Sequence, residues 1–111
     1  MNESENLKIE VQRQGSGDKA TNGARVSVDY TGELIDGTVF DSNISSGKPF
    51  TFTLGKGDVI RGWDIGVLDM QIGETRKLTI PHELAYGEDG YPGVIPPRAT
   101  LIFTVTLTGI N

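Results

Sequence analysis

Only one short stretch of this chain repeats its apolar residues with the period of a helix, and that limits what can fold around what. Ile60, Trp63 and Val67 follow at spacings of three and four, so they share one helical face. Asp58 stands ahead of them where an N-cap is expected, and Gly73 is a natural stop, which predicts a helix of about ten residues. Elsewhere the period is two. Leu7, Ile9 and Val11 alternate with Lys8, Glu10 and Gln12, the pattern of a half-buried strand. Val26, Val28 and Tyr30 begin a second strand, Phe50, Phe52 and Leu54 a third, and Leu78 and Ile80 a fourth that ends at Pro81. The last is the clearest, with Leu101, Phe103, Val105 and Leu107 on one side and Ile102, Thr104, Thr106 and Thr108 on the other. The fold class is therefore α+β: a mostly antiparallel sheet of five to six strands and one short helix, without βαβ alternation. That helix is the only element able to cover a sheet face, so Trp63 should meet the inward row of Tyr30, Phe50 and Phe103.

The breaks between strands have readable chemistry. Asp36-Gly37 is a strong turn signal between Leu34-Ile35 and Val39-Phe40. Residues 14–22, 42–49 and 82–97 read as loops rich in Gly, Ser, Asp or Pro. Gly55-Lys56-Gly57 is a tight turn, because a phosphate loop needs a Ser or Thr after the Lys and a strand–loop–long-helix unit around it. Residues 1–6 read as a solvated tail and residues 7–111 as one domain, the size expected for a chain of 111 residues.

Composition removes whole classes of chemistry. There is no Cys, so thiolate nucleophiles, disulfides and Cys-ligated zinc are excluded. The single His, His82, cannot build a zinc site of two or three imidazoles, and no Gly-x-Ser-x-Gly elbow accompanies it for a nucleophilic triad. The net charge of −5 argues against nucleic acid as partner. No run approaches the roughly 18 apolar residues of a membrane span. The polar, acidic start does not resemble a secretory signal, which gives the cytoplasm as the expected location and leaves the Asn43-Ile44-Ser45 sequon unused. Glu88 and Asp89, in the same loop as His82 and Glu83, read as a solvated acidic segment, not a metal site. Asp41 stays open at this level: it reads equally as a turn Asp capping amides or as a polar group at an apolar cleft.

Eight segments, in order, resemble the FKBP-type peptidyl-prolyl isomerases, the macrolide-binding immunophilins. They are Val28-Asp29-Tyr30-Thr31-Gly32, Gly37-Thr38-Val39-Phe40-Asp41-Ser42, Pro49-Phe50-Thr51-Phe52, Val59-Ile60-Arg61-Gly62-Trp63, Leu78-Thr79-Ile80-Pro81, Ala85-Tyr86-Gly87, Ile95-Pro96-Pro97 and Ala99-Thr100-Leu101-Ile102-Phe103. The resemblance covers roughly residues 7–111 and implies a twisted sheet wrapped around the helix with an apolar pocket between them. Carried over by position, Trp63 is the pocket floor, and Tyr30, Phe40, Phe50, Val59, Ile60, Tyr86 and Phe103 its walls. Asp41 falls on the family's pocket carboxylate, and Asp58 on a position whose carbonyl meets ligands. Ile60 would offer its N–H, and Tyr86 its hydroxyl, to a substrate carbonyl. Tyr91, Val94 and Ile95 would line the flap above. Two positions depart from the family: Tyr91 stands where His is frequent, and no Arg lies near Ser45-Ser46 to pair with the pocket Asp.

What the resemblance implies is a monomeric prolyl isomerase without metal or cofactor. Its partners would be proline-containing peptides, unfolded protein clients and macrolides such as tacrolimus and rapamycin. The alternatives are a non-catalytic peptide-binding module of the same fold, and a chaperone working through exposed Val94 and Ile95.

Overall fold

Two ten-residue strands carry the sheet, and both show the alternation that the sequence predicts. The computed structural model describes residues 6–110. Its elements are β1 (Lys8–Arg13), β2 (Ser16–Lys19), β3 (Arg25–Leu34), β4 (Val39–Ser42), β5 (Phe50–Thr53), α1 (Arg61–Gly66), β6 (Gln71–Ile72), β7 (Thr75–Ile80) and β8 (Leu101–Ile110). The strand order is β1-β7-β8-β3-β4, with β5 also paired to β3, and every pairing is antiparallel. In β8, Leu101, Phe103, Val105 and Leu107 are buried, and Val26 and Val28 of β3 join them in the core. Each such side chain contributes about 1.5–3 kcal/mol by leaving water. This six-stranded sheet with one short helix is the α+β fold expected from the period.

The helix lies close against β7 because two of its residues have no side chain. A Cβ on Gly62 would come within 2.5 Å of Ile80, and one on Gly66 within 2.8 Å of Leu78. This close approach lets Trp63 reach the aromatic row on β3, β5 and β8.

Several local expectations are corrected. The helix has six residues rather than about ten, and its N-cap is Ile60, with no side-chain cap. Asp58 instead accepts the Thr53 N–H at 3.1 Å. Asp64, inside the helix, takes the N–H groups of Gly55 and Gly57 at 2.9 and 3.0 Å and so ties the preceding turn to it. Gly73 does not stop the helix: at φ +87° it turns β6 into β7. The helix ends earlier, where Arg76 captures the carbonyls of Gly66 and Leu68 at 2.9 Å each.

Residues 14–22 are not all loop, since β2 pairs with β6 in a separate two-stranded sheet. Strands of four and two residues are too short to show a period. β1 is a strand, but not half-buried: Ile9 is 41% and Val11 47% exposed. It forms the outer edge of the sheet, while the short helix packs on β7. Of the expected solvated tail, residues 1–5 lie outside the described residues, and Leu7 already packs against the core. Among the described residues, no helix is long and apolar enough to cross a membrane.

Candidate functional site

The pocket begins with the indole of Trp63, brought to the sheet by the glycine-faced helix. Four rings surround it. Tyr30 from β3 meets it edge-on at 4.9 Å and Phe103 from β8 at 5.2 Å, while Phe50 and Phe52 from β5 lie at 6.0 and 5.7 Å. Edge-to-face pairs of this kind add about 0.5–1.5 kcal/mol each beyond their buried area. The expectation that Trp63 meets Tyr30, Phe50 and Phe103 therefore holds. Above the indole opens a cavity of about 180 Å³, lined by Tyr30, Asp41, Phe50, Asp58, Val59, Ile60, Trp63, Tyr86 and Phe103. That is smaller than the roughly 300–1,000 Å³ that encloses a drug-sized ligand. It suits one ring of a ligand, with the remainder resting on the rim.

Trp63 and Phe103 are each 4% exposed, so they are floor and core at once. Phe50, at 40%, is rim rather than core. Glycine at position 32 makes the Phe103 wall possible, because a Cβ there would lie 2.7 Å from the Phe103 ring and 2.8 Å from that of Phe40. Those two rings instead close edge-to-face at 5.5 Å over the bare backbone.

Polar groups on the rim are few. The Tyr30 hydroxyl donates to Asp41 Oδ2 at 2.8 Å. Burial first, and then the hydrogen bond to Asp41 and its charge, push the Tyr30 phenol up to about 12. The Tyr86 phenol is raised in the same direction, by burial first and then by the charge of Asp41. Both phenols therefore remain neutral donors throughout the physiological range. Asp41 is a cleft carboxylate rather than an amide cap. Its hydrogen-bond partner is Tyr30, and among the described residues no cation pairs with it. Also among the described residues, neither the Tyr86 hydroxyl nor the Ile60 N–H is spent on a protein partner, while the Ile60 carbonyl accepts from Trp63 and Asp64. The indole N–H of Trp63 is buried without a partner.

The other expected site residues divide differently. Phe40 does not line the main cavity. It lines an adjoining hollow of about 190 Å³ together with Asp41, Tyr86, Tyr91, Val94 and Ile95. Its ring packs edge-to-face on Phe103. Tyr91 is exposed, yet its ring meets that of Tyr86 edge-on at 6.2 Å. Tyr91 and Ile95 exchange backbone hydrogen bonds of 2.8 Å, which makes the flap a tight bridge. Ile95 is only 5% exposed. A chaperone surface built from exposed Val94 and Ile95 therefore has only Val94 available.

Two features were not singled out from sequence, and a third was read only as an unused sequon. Asp64 orders the glycine turn beside the pocket. Glu74 and Arg76 form an ion pair at the opposite end of the helix, with side chains 6% and 12% exposed. Asn43 does not stand free as a sequon would: its amide is spent on backbone at Tyr30, Val28 and Lys48. Of these only Asn43 carried a signal, the sequon Asn43-Ile44-Ser45. Glu88, in the acidic loop, lies 3.8 Å from Arg98 in an exposed ion pair.

Known proteins resemble this chain over most of its length. Residues 17–108 match the model of the FKBP-type peptidyl-prolyl cis-trans isomerase family. The peptidyl-prolyl cis-trans isomerase Fkbp12 of Drosophila melanogaster is 51% identical over 106 residues, covering 93% of this chain and 98% of that protein. FK506-binding protein 2 of Yarrowia lipolytica is 59% identical over 93 residues, and FK506-binding protein 4 of Rhizopus delemar 54% over 105. These alignments cover 84% and 95% of this chain but only 65% and 27% of those two relatives.

Proposed function

This chain belongs to the FKBP-type peptidyl-prolyl cis-trans isomerases, and we propose that its aromatic cavity catalyses rotation about X-Pro bonds of peptides and folding proteins. The observation that carries the reading is the ring-walled cavity over Trp63, sized for one ring, with the Asp41 carboxylate on its rim already engaged by Tyr30. Rotation about a peptide bond faces about 18–20 kcal/mol because resonance gives the C–N bond double-bond character. For X-Pro the isomers differ by only about 0.5–1 kcal/mol, yet they exchange over tens to hundreds of seconds. No nucleophile is needed. The twisted amide has lost its resonance and carries a less polar carbonyl, so a water-poor aromatic site disfavours the planar dipole more than the twisted one.

The roles follow from position. The proline ring sits against Trp63, between Tyr30, Phe50 and Phe103. The Ile60 N–H and the Tyr86 hydroxyl take substrate carbonyls, and Val59 and the Asp58 carbonyl complete the rim. Asp41, held by Tyr30, faces the rotating amide. Tyr91, Val94 and Ile95, with Phe40, flank the residue beside the proline. Each 1.36 kcal/mol of preference for the twisted form gives about tenfold in rate. Neither metal nor cofactor enters the scheme. Tacrolimus and rapamycin are the proposed inhibitors, since their ring systems would use the same walls. The proposed unit is one domain over residues 7–111, working as a monomer in the cytoplasm.

The test is cis–trans exchange of a Leu-Pro or Phe-Pro peptide followed by NMR, with and without rapamycin. Rapamycin-sensitive exchange is expected. Binding of the macrolide without any exchange would overturn catalysis and leave a peptide-binding module of the same fold.

A further inference from the structure

On its outer side β3 changes partner in mid-strand. It pairs with β5 over Arg25–Val28 and with β4 over Thr31–Glu33, which leaves Tyr30 between the two ladders. A buried strand residue with an unpaired N–H costs about 1–3 kcal/mol and is free to shift. Here Asn43 closes the gap. Its Oδ1 accepts the Tyr30 N–H at 2.7 Å, and its backbone N–H donates to the Tyr30 carbonyl at 3.2 Å. The Ser42 hydroxyl donates to the same carbonyl at 3.1 Å. Asn43 Nδ2 spends its two hydrogens on the carbonyls of Val28, at 3.0 Å, and Lys48, at 3.1 Å. One acceptor facing a donor and two donors facing acceptors fixes the primary amide in one orientation. A carboxylate would repel two carbonyls, and a hydroxyl cannot span all three groups.

We propose that Asn43 is a positioning residue of the pocket: its amide fixes the backbone of Tyr30, and through Tyr30 it sets both the Asp41 carboxylate and the edge contact on Trp63. The inference rests on the isomerase reading for its consequence in turnover, but the positioning itself is a property of the fold. Tyr30 is the residue through which the clamp acts, because its hydroxyl holds Asp41 and its ring is the nearest to the indole. The same engagement makes the Asn43 sequon incompatible with a glycan on the folded domain, since the nitrogen that would be modified is already committed to two carbonyls.

Trp63 is the only tryptophan, so its emission reports the pocket directly. The experiment compares Asn43→Ser with Ile110→Ala, a partly buried residue at the end of β8 that is not among the residues lining the pocket. Ser42→Ala loosens the same Tyr30 carbonyl more gently. Asn43→Ser is expected to lower kcat/KM for an X-Pro peptide by about tenfold, the scale of one lost hydrogen bond, and to shift Trp63 emission in the folded protein. Ser42→Ala is expected to move both in the same direction by less, and it carries the test by itself if Asn43→Ser does not fold. Ile110→Ala should lower the melting temperature while leaving both readouts within about twofold of the parent. The proposal is overturned if Asn43→Ser and Ser42→Ala keep the parent's kcat/KM and emission, or if Ile110→Ala loses as much as they do. A parent protein without exchange activity would overturn the isomerase reading alone. The emission comparison would then decide the positioning role.

Discussion

The two ends of the short helix treat their polar groups in opposite ways. At the Trp63 end, an indole N–H, a backbone N–H at Ile60 and a phenol at Tyr86 are left without protein partners among the described residues. At the other end the charged groups are engaged. Arg76 donates to the carbonyls of Gly66 and Leu68 and pairs with Glu74, while Glu74 also accepts the Gln71 N–H at 2.9 Å. Unpaired polar groups cost stability, and a buried ion pair becomes strongly destabilising when one partner is removed. The pocket end is thus built to receive a partner, and the far end is built to hold the helix while it does so.

The largest test of this contrast is Trp63→Ala. Removing the floor is expected to cost about 3–5 kcal/mol in denaturant unfolding and to abolish macrolide binding, because the same ring serves core and pocket. Retention of ligand affinity would detach the cavity from the function. Arg76→Met separates the two ends. It strands a buried carboxylate and the carbonyls of Gly66 and Leu68, so a loss of about 3–5 kcal/mol is expected, with affinity in the folded protein within about twofold of the parent. A large loss of affinity without loss of stability would show that the far end tunes the pocket.

The smallest effect concerns protons. The Tyr30 phenol lies at about 12 against an ordinary 10.0, so the native state keeps a proton there that the unfolded chain releases. That contribution to stability is complete below pH 10 and is lost as pH rises through about 12. Asp41→Asn removes the hydrogen-bonding carboxylate and its charge but not the burial. The Tyr30 phenol should then titrate lower, though still above 10.0, as read by tyrosinate absorbance against a Tyr30→Phe blank. An unchanged titration would assign the whole shift to burial. In the parent, the exchange rate should be flat from pH 6 to pH 9, since both pocket phenols stay protonated; a bell there would bring acid–base chemistry into the site.

The alternation in β3 and β8 was legible because a period of two persists over ten residues, and Trp63 was legible as the inward point of the single helical face. The pocket was legible mainly through the family resemblance. Periodicity alone could not tell Phe103, which is buried, from Phe50, which stands at the rim, because both occupy inward strand positions. β2 and β6 were not legible, since two to four residues cannot display a period. The helix boundary was misread because Asp58 has the right residue type for an N-cap but is taken by Thr53.

By itself, the sequence determined the α+β class, the inward aromatic row, the absence of thiol chemistry and the turns at Asp36-Gly37 and Gly55-Lys56-Gly57. These are local properties, fixed by side-chain alternation, residue type and the backbone freedom of glycine within a few neighbours. Tertiary structure decided which polar groups are spent and which remain open. Asn43 meets Tyr30 from thirteen positions away, Arg76 caps a helix ten residues earlier in the chain, and Phe40 turns from the cavity toward Phe103 over Gly32. Hydrogen bonds and ring contacts act only over a few ångströms, so partners distant in sequence are chosen by the path of the folded chain rather than by any pattern along it.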